Sequence, residues 1–189
     1  MNIEFEVKFY TNFDRCKQAI KKQGGRLVKP LDLMKRWIYL DKNKSHAWIR
    51  VRDEGDKVMM CYKTFNKLQT IDAVQELEFG VENFDKACEF LEKLGLIKQR
   101  YVENMREVWQ LQDCLIMFDQ WPALDPFIEI EGPSKQSVEL VAQQLGFDMQ
   151  KAMYGPTAKL YEQAYGILQE DFHKIKKLTF TSIPDILSK

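Results

Sequence analysis

Residues 3 to 9 alternate strictly, with Ile3, Phe5, Val7 and Phe9 on one parity and Glu4, Glu6 and Lys8 on the other. A period of two predicts a strand with two unlike faces. Residues 13 to 23 change period: Phe13, Cys16, Ala19 and Ile20 recur at helical spacing, and Gly24-Gly25 follows as a stop. From about Leu33 the pattern predicts four strands, divided by turn signals at Asn43-Lys44-Ser45, at Glu54-Gly55-Asp56 and over residues 66 to 70. A second helix is predicted from Asn83, a favoured N-cap, with Phe84, Ala87, Cys88, Leu91 and Leu94 on one face and Gly95 at its end. Strands over 97–109, 112–120 and 126–132 follow. A third helix, capped by Ser134, carries Val138, Val141, Ala142 and Leu145 and ends at Gly146. A last helical stretch is expected from Lys159 to about Lys177. There is no repeat and no linker long enough to split the chain, so one domain is expected.

Parity also sorts the ionisable groups. Seven of the strands carry a charged face. The acids are Glu4, Glu6, Glu76, Glu78, Asp119, Glu129 and Glu131; the bases are Lys8, Arg50, Arg52, Lys63, Lys98, Arg100 and Arg106. The ordinary reading is an antiparallel sheet with one solvated face. Two features favour another. Glu-x-Glu occurs three times, each time placing two carboxylates on one face about 6.5–7 Å apart. The signs are also segregated by strand, where cross-strand pairing would mix them. A closed barrel with polar groups inside and apolar groups outside, jacketed by helices, accounts for both. Its lumen would be costly to desolvate if empty. Carboxylates without His or Cys select hard cations, Mg²⁺ or Mn²⁺. Converging Arg and Lys select a polyanion, most naturally a chain of phosphates. Together they point to phosphoryl transfer or phosphate hydrolysis.

Composition narrows the alternatives. Lys+Arg and Asp+Glu each number 28 in 189 residues, and a net charge of zero argues against a nucleic-acid partner. No apolar run approaches the roughly 18 residues of a membrane span, and the N-terminus does not read as a signal peptide. Cys16, Cys61, Cys88 and Cys114 are widely spaced and fit neither a zinc site nor a redox pair. Reduced thiols and a cytoplasmic location are expected. His46 and His173 are too few for a histidine metal centre and are expected at the surface. Trp37, Trp48, Trp109 and Trp121 are expected outside the barrel, unless one lies near a mouth and stacks on a base. No Ser-His-Asp arrangement, glycine-rich phosphate loop or Cys nucleophile competes as a catalytic centre.

Glu4-Phe5-Glu6-Val7-Lys8 resembles the N-terminal Glu-x-Glu-x-Lys signature of the CYTH superfamily, the triphosphate tunnel metalloenzymes. The superfamily includes class IV adenylyl cyclases, thiamine triphosphatases and inorganic triphosphatases. Arg50-Val51-Arg52, Tyr62-Lys63-Thr64, Glu76-Leu77-Glu78, Lys98-Gln99-Arg100, Asp119 and Glu129-Ile130-Glu131 follow in the family's order. Lys159 resembles its C-terminal tunnel lysine. The resemblance implies an α+β fold with an eight-stranded antiparallel β-barrel, a tunnel with a polar interior. It implies a CYTH domain over residues 1–165, with 166–189 as a helical extension on or near the tunnel.

By the same resemblance Glu4, Glu6, Asp119, Glu129 and Glu131 hold one or two Mg²⁺ or Mn²⁺ ions. Lys8, Arg50, Arg52, Lys63, Arg100, Arg106 and Lys159 grip the substrate's phosphates, with Lys8 and Lys63 at the catalytic position. Lys98 resembles the lysine of the cyclases' Lys-x-Arg pair, and Glu76 and Glu78 support the bases. The implied partner is a small triphosphate-containing molecule, not nucleic acid or membrane, and a homodimer is compatible with the reading. Three functions stay open: a metal-dependent triphosphatase, a class IV adenylyl cyclase, and a non-catalytic polyphosphate or nucleotide binder. The link over residues 120–126 replaces a short Gly-containing turn of the cyclases.

Overall fold

The computed structural model describes residues 2–40, 47–65, 70–72 and 74–187. His46 and the turn signals near 43–45 and 66–69 lie outside these. The elements run β1 (Asn2–Tyr10), α1 (Phe13–Lys22), β2 (Arg26–Leu40), β3 (Ala47–Asp53), β4 (Val58–Phe65), β5 (Val74–Val81) and α2 (Phe84–Lys93). They continue with β6 (Ile97–Leu111), β7 (Cys114–Gln120), β8 (Phe127–Gly132), α3 (Lys135–Gln144), α4 (Ala158–Tyr165), α5 (Gln169–Lys174) and β9 (Lys177–Leu178). Neighbours pair in the order β2-β3-β4-β5-β1-β8-β7-β6, and β6 pairs back to β2. The result is a closed, eight-stranded antiparallel barrel with helices around it. Closure leaves no long free edge, and each strand has one face in the lumen and one outside.

The outward apolar positions collect under the helices. Cys16 and Ile20 of α1 and Val138, Val141 and Ala142 of α3 pack on Val7, Phe118, Ile128 and Ile130. Cys88 and Leu91 of α2 cover Tyr39 and Val51. Leu160 and Tyr161 of α4 and Phe172 of α5 pack on Val102, Trp121 and Phe127. Each large apolar side chain so buried contributes about 1.5–3 kcal/mol, which stabilises a barrel whose lumen is charged. Caps set the helix starts: the side chains of Asn12, Asn83 and Ser134 accept hydrogen bonds from the backbone amides of Arg15, Lys86 and Ser137. Among the described residues, no helix is long and apolar enough to cross a membrane.

Three boundaries depart from the sequence pattern. β2 starts at Arg26, not Leu33. Its pairing with β6 shifts register after Leu27 and Lys29, so the alternation that marks a strand is broken there. β7 starts at Cys114, because Gln112-Asp113 form a tight turn with Gln112 at φ 54°. The last helical stretch is two helices, parted where Gly166 takes the left-handed conformation that ends α4. Between β3 and β4, Gly55 sits at φ 88°, and a Cβ there would lie 2.5 Å from the Asp32 carboxylate.

Candidate active site

Inward-facing side chains enclose a cavity of about 270 Å³. One wall is basic, carrying Arg36 from β2, Arg50 and Arg52 from β3 and Arg106 from β6. Arg36 and Arg52 are direct cross-strand partners, an arrangement in which like charges repel. Burial, and then repulsion from Arg50, Arg52 and Arg106, pulls the Arg36 guanidinium well below its ordinary pKa. Arg36 donates to the Asn104 side-chain oxygen and lies 4.8 Å over the Trp121 ring. Among the described residues, the Nε groups of Arg36, Arg50 and Arg52, and the indole N–H of Trp121, are buried and find no hydrogen-bond partner. Each such donor costs about 1–3 kcal/mol.

Carboxylates hold the other faces of these bases. Arg50 meets Glu76 at 3.3 Å and Glu78 at 3.0 Å, while Arg52 pairs with Glu54 and lies 3.4 Å from Glu78. Lys63 reaches Glu4 at 2.8 Å and Glu76 at 3.1 Å. Arg106 grips Asp119 through both Nε and Nη2, and reaches Glu129 at 2.5 Å. Although burial opposes it, Asp119 and Glu129 raise the Arg106 guanidinium well above its ordinary range. Lys8 sits 2.7 Å from Glu6 and 3.4 Å from Glu129. These two carboxylates outweigh burial and keep Lys8 firmly protonated.

The facing wall is acidic. On adjoining β1 and β8, Glu6 stands directly opposite Glu131, and Lys8 opposite Glu129. Burial, then the charges of Glu4 and Glu6, push Glu131 up to about 7. Glu4 is pushed up to about 7 by burial and its hydrogen bond with Glu76. Lysines serve Glu4 and Glu6, whereas Glu131 has no ion pair among the described residues. A divalent cation fits this donor set: all-oxygen ligands, and, in Glu131, a buried carboxylate with no ion pair among the described residues. The oxygens of Glu4, Glu6 and Glu131 do not lie within 4.8 Å of one another. Among the described residues that grouping is reached by Cys61, Glu76 and Glu78. There Arg50 already occupies both carboxylates, and a thiol suits a hard cation poorly.

Several sequence-predicted residues sit elsewhere than expected. Lys98 points out of the barrel, bonded to Glu92 of α2 at 2.7 Å and lying over the Trp37 ring. The reason is a bulge: Ile38 pairs with Arg100 but Tyr39 pairs with Lys98, so Gln99 is inserted and parity flips. Asp119 is fully buried behind Arg106, bonded to it and to Asn104, and does not wall the cavity. Lys159 lies on the first turn of α4 with its amine against Gly155, beside lining residues Pro156 to Ala158 but not among them. Arg100 lines the cavity, yet its guanidinium donates to the carbonyls of Ile175 and Phe172. Burial lowers it to about 10.

Glu4, Glu6, Lys8, Arg50, Arg52, Lys63, Glu76, Glu78, Arg106, Glu129 and Glu131 do share the lumen. Trp37 and Trp109 pack outside the barrel, but Trp48 and Trp121 line the cavity. Exposed His173 lines it too. Sequence reasoning missed Arg36, although its parity with Ile38 and Leu40 marks it as inward.

The sequence profile of the CYTH domain matches residues 2–165. The chain belongs to the CYTH family. A Methanocaldococcus jannaschii protein that carries the provisional name of an adenylate cyclase is 24% identical over 135 residues, 69% of this chain and 76% of that protein. The CYTH barrel also superposes on the PH1012 protein of Pyrococcus horikoshii with a TM-score of 0.73 at 23% identity, covering 84% of this chain and 99% of that one. A Vibrio parahaemolyticus structure, provisionally described as an adenylate cyclase, gives 0.70 at 13% identity, over 84% and 97% of the two chains. At these identities the solved structures establish a shared fold.

Proposed function

We propose that this CYTH chain is a divalent-metal-dependent triphosphatase that hydrolyses a triphosphate-containing substrate inside its barrel. The observation that carries the reading is the convergence on one cavity of Arg36, Arg50, Arg52, Arg106, Lys8 and Lys63 with Glu4, Glu6, Glu129 and Glu131. The fixed donor forks of the arginines suit phosphate oxygens. Glu4, Glu6, Glu129 and Glu131 would hold the cation. When bound, the cation supplies charge neutralisation and Lewis acidity toward the phosphate chain.

The chain's own part is positioning. Arg36, Arg50 and Arg52 bind non-bridging oxygens and fix the triphosphate along the lumen. Lys8 and Lys63 stay protonated beside the acidic wall and offset charge at the reacting phosphate. Water adds to the terminal phosphorus, the P–O bond to the bridging oxygen breaks, and orthophosphate and the shortened phosphate chain leave.

The cyclase names of the relatives make adenylyl cyclisation the second reading. The outward Lys98 and the occupied Arg100 favour hydrolysis, because the pair that resembles the cyclases' Lys-x-Arg does not present both cations to the lumen. The deciding experiment is product analysis with tripolyphosphate, thiamine triphosphate and ATP, each with Mg²⁺ and with Mn²⁺. Orthophosphate is expected. Cyclic AMP and pyrophosphate from ATP would make the chain a cyclase, and phosphate-chain binding without turnover would make it a binding module. EDTA should abolish turnover and added Mg²⁺ or Mn²⁺ restore it; undiminished turnover in chelator would sink the metal-dependent reading.

Arg36→Met gives a second test. Removing a buried, repelled cation should leave the ligand-free melting temperature unchanged or higher. Triphosphate binding should weaken at least tenfold, about 1.4 kcal/mol. A lower melting temperature with unchanged affinity would make Arg36 a structural residue.

A further inference from the structure

β5 is fully paired on one side only. β4 runs beside it along its whole length, from Val58 opposite Val81 to Phe65 opposite Val74. On the other side β1 reaches it only at residues 74–76, where Glu4, Ile3 and Asn2 stand opposite. Among the described residues, no strand pairs with that edge of residues 77–81. The outer face of the same stretch is bare as well. Parity turns Glu76 and Glu78 into the lumen and Leu77 and Phe79 outward, where they are 51% and 47% exposed. Ile3, beside Gln75, is 49% exposed. The helices pack elsewhere: none of the three clusters they cover contains a residue of β5.

An unpaired edge carrying apolar side chains is a template for another strand. Pro, Lys or a bulge would guard such an edge, and residues 77–81 have none of them. Their one charge, Glu78, is held by Arg50 at 3.0 Å and by Arg52 at 3.4 Å. The stretch is also complementary to itself. A two-fold axis perpendicular to the sheet pairs two copies antiparallel and keeps lumen-facing and outward side chains on their own sides. Centred on Glu78, it sets that carboxylate against its own copy; centred on Gly80, it sets Glu78 against Glu82. Like charges directly opposite repel. Centred on Phe79, it uses all five residues and opposes Leu77 to Val81, Glu78 to Gly80 and Phe79 to its own copy. No charge then meets its like, and an aromatic pair lies at the middle with aliphatic pairs on either side.

We propose that residues 77–81 of β5 are a self-association surface, joining two copies of this chain edge to edge across a two-fold axis at Phe79. A five-residue ladder lies at the small end of specific interfaces, so the dimer forms reversibly, with a dissociation constant on the order of 10 µM. The surface is independent of the reaction proposed for the lumen.

Sedimentation velocity on the full chain, over about 1 to 200 µM, tests it. The wild type should pass from a single chain of 22.4 kDa to a species of twice that mass. Phe79→Lys and Phe79→Glu should each stay monomeric, because each sets like charges face to face at the axis. Mixed in equal amounts, the two variants should dimerise again, at least tenfold more tightly than either alone. Both substitutions fall on an exposed side chain, and thermal melts check that the barrel is intact. Should either melt early, Leu77→Lys, at a second exposed position, must weaken the wild-type dimer at least tenfold. A wild type monomeric throughout would overturn self-association and leave the edge to a strand of a different protein. A dimer untouched by Phe79→Lys would overturn the surface, and lost dimers that mixing does not restore would overturn the two-fold pairing at Phe79.

Discussion

Arg106→Met is expected to melt roughly 10 °C below the wild type, the largest stability loss of any single lumen substitution. Arg106 is the counter-charge of two buried carboxylates, Asp119 and Glu129. Removing one partner of a buried ion pair costs about 3–5 kcal/mol, because the other charge stays behind without water. For a chain of this length each kcal/mol lowers the melting temperature by about 2–4 °C. The deficit should shrink as pH falls toward 5. Without Arg106, Asp119 loses its ion pair and Glu129 keeps only Lys8, so both would bind protons more tightly than in the wild type, and the penalty is present above their pKa values and relieved below them. Thermal melts at pH 5 and 8 measure both effects, and a melting temperature equal to wild type at pH 8 would show that something else neutralises the pair.

Glu131→Gln should lower metal-supported turnover at least a hundredfold while raising the metal-free melting temperature at pH 8. The wild type crowds Glu131 against Glu4 and Glu6, and both Glu4 and Glu131 are pushed up to about 7 from 4.5. A raised carboxyl means that the folded chain holds more protons than the unfolded chain between about pH 4.5 and 7. Stability from these two groups therefore falls as pH rises through that window. A bound cation takes the protons' place, so Mg²⁺ should raise the melting temperature more at pH 8 than at pH 5.5, and Glu131→Gln should flatten the difference. Equal shifts at the two pH values would remove these carboxylates from the metal's ligand set.

The lumen was legible in the sequence because barrel strands alternate, and alternation survives in a bare string of residues. Glu4, Glu6 and Lys8 face inward together for that reason. Lys98 failed on the same rule, since one inserted residue reverses parity and nothing in Lys98-Gln99-Arg100 announces it. Asp119 has the right parity, but depth is a second coordinate: long Arg106 lies across short Asp119 and takes its oxygens. Arg36 was within reach, since it lies in the strand predicted from Leu33 with the inward parity of Ile38 and Leu40. The break at Gly166 and the strand β9 were not readable. Lys177-Leu178 pair only because β7 leaves an edge of β6 uncovered, which is a fact about the assembled barrel.

The order of strands around the barrel also governs when the chain can become itself. β2 to β5 and β6 to β8 are runs of consecutive neighbours, but β1 lies between β5 and β8. β1, made before the other strands of the barrel, thus finds its main partner only after Gly132 has been made. Until then β1 can pair only through Asn2 to Glu4 with β5, which leaves Glu6 and Lys8 without their β8 partners, and such distant pairings close slowly. A chain stalled before β8 would carry β1 with one edge exposed and an acidic wall lacking Glu129 and Glu131. On the proposed function, metal and triphosphate would bind only the closed ring and together should act as a latch on the final step of folding.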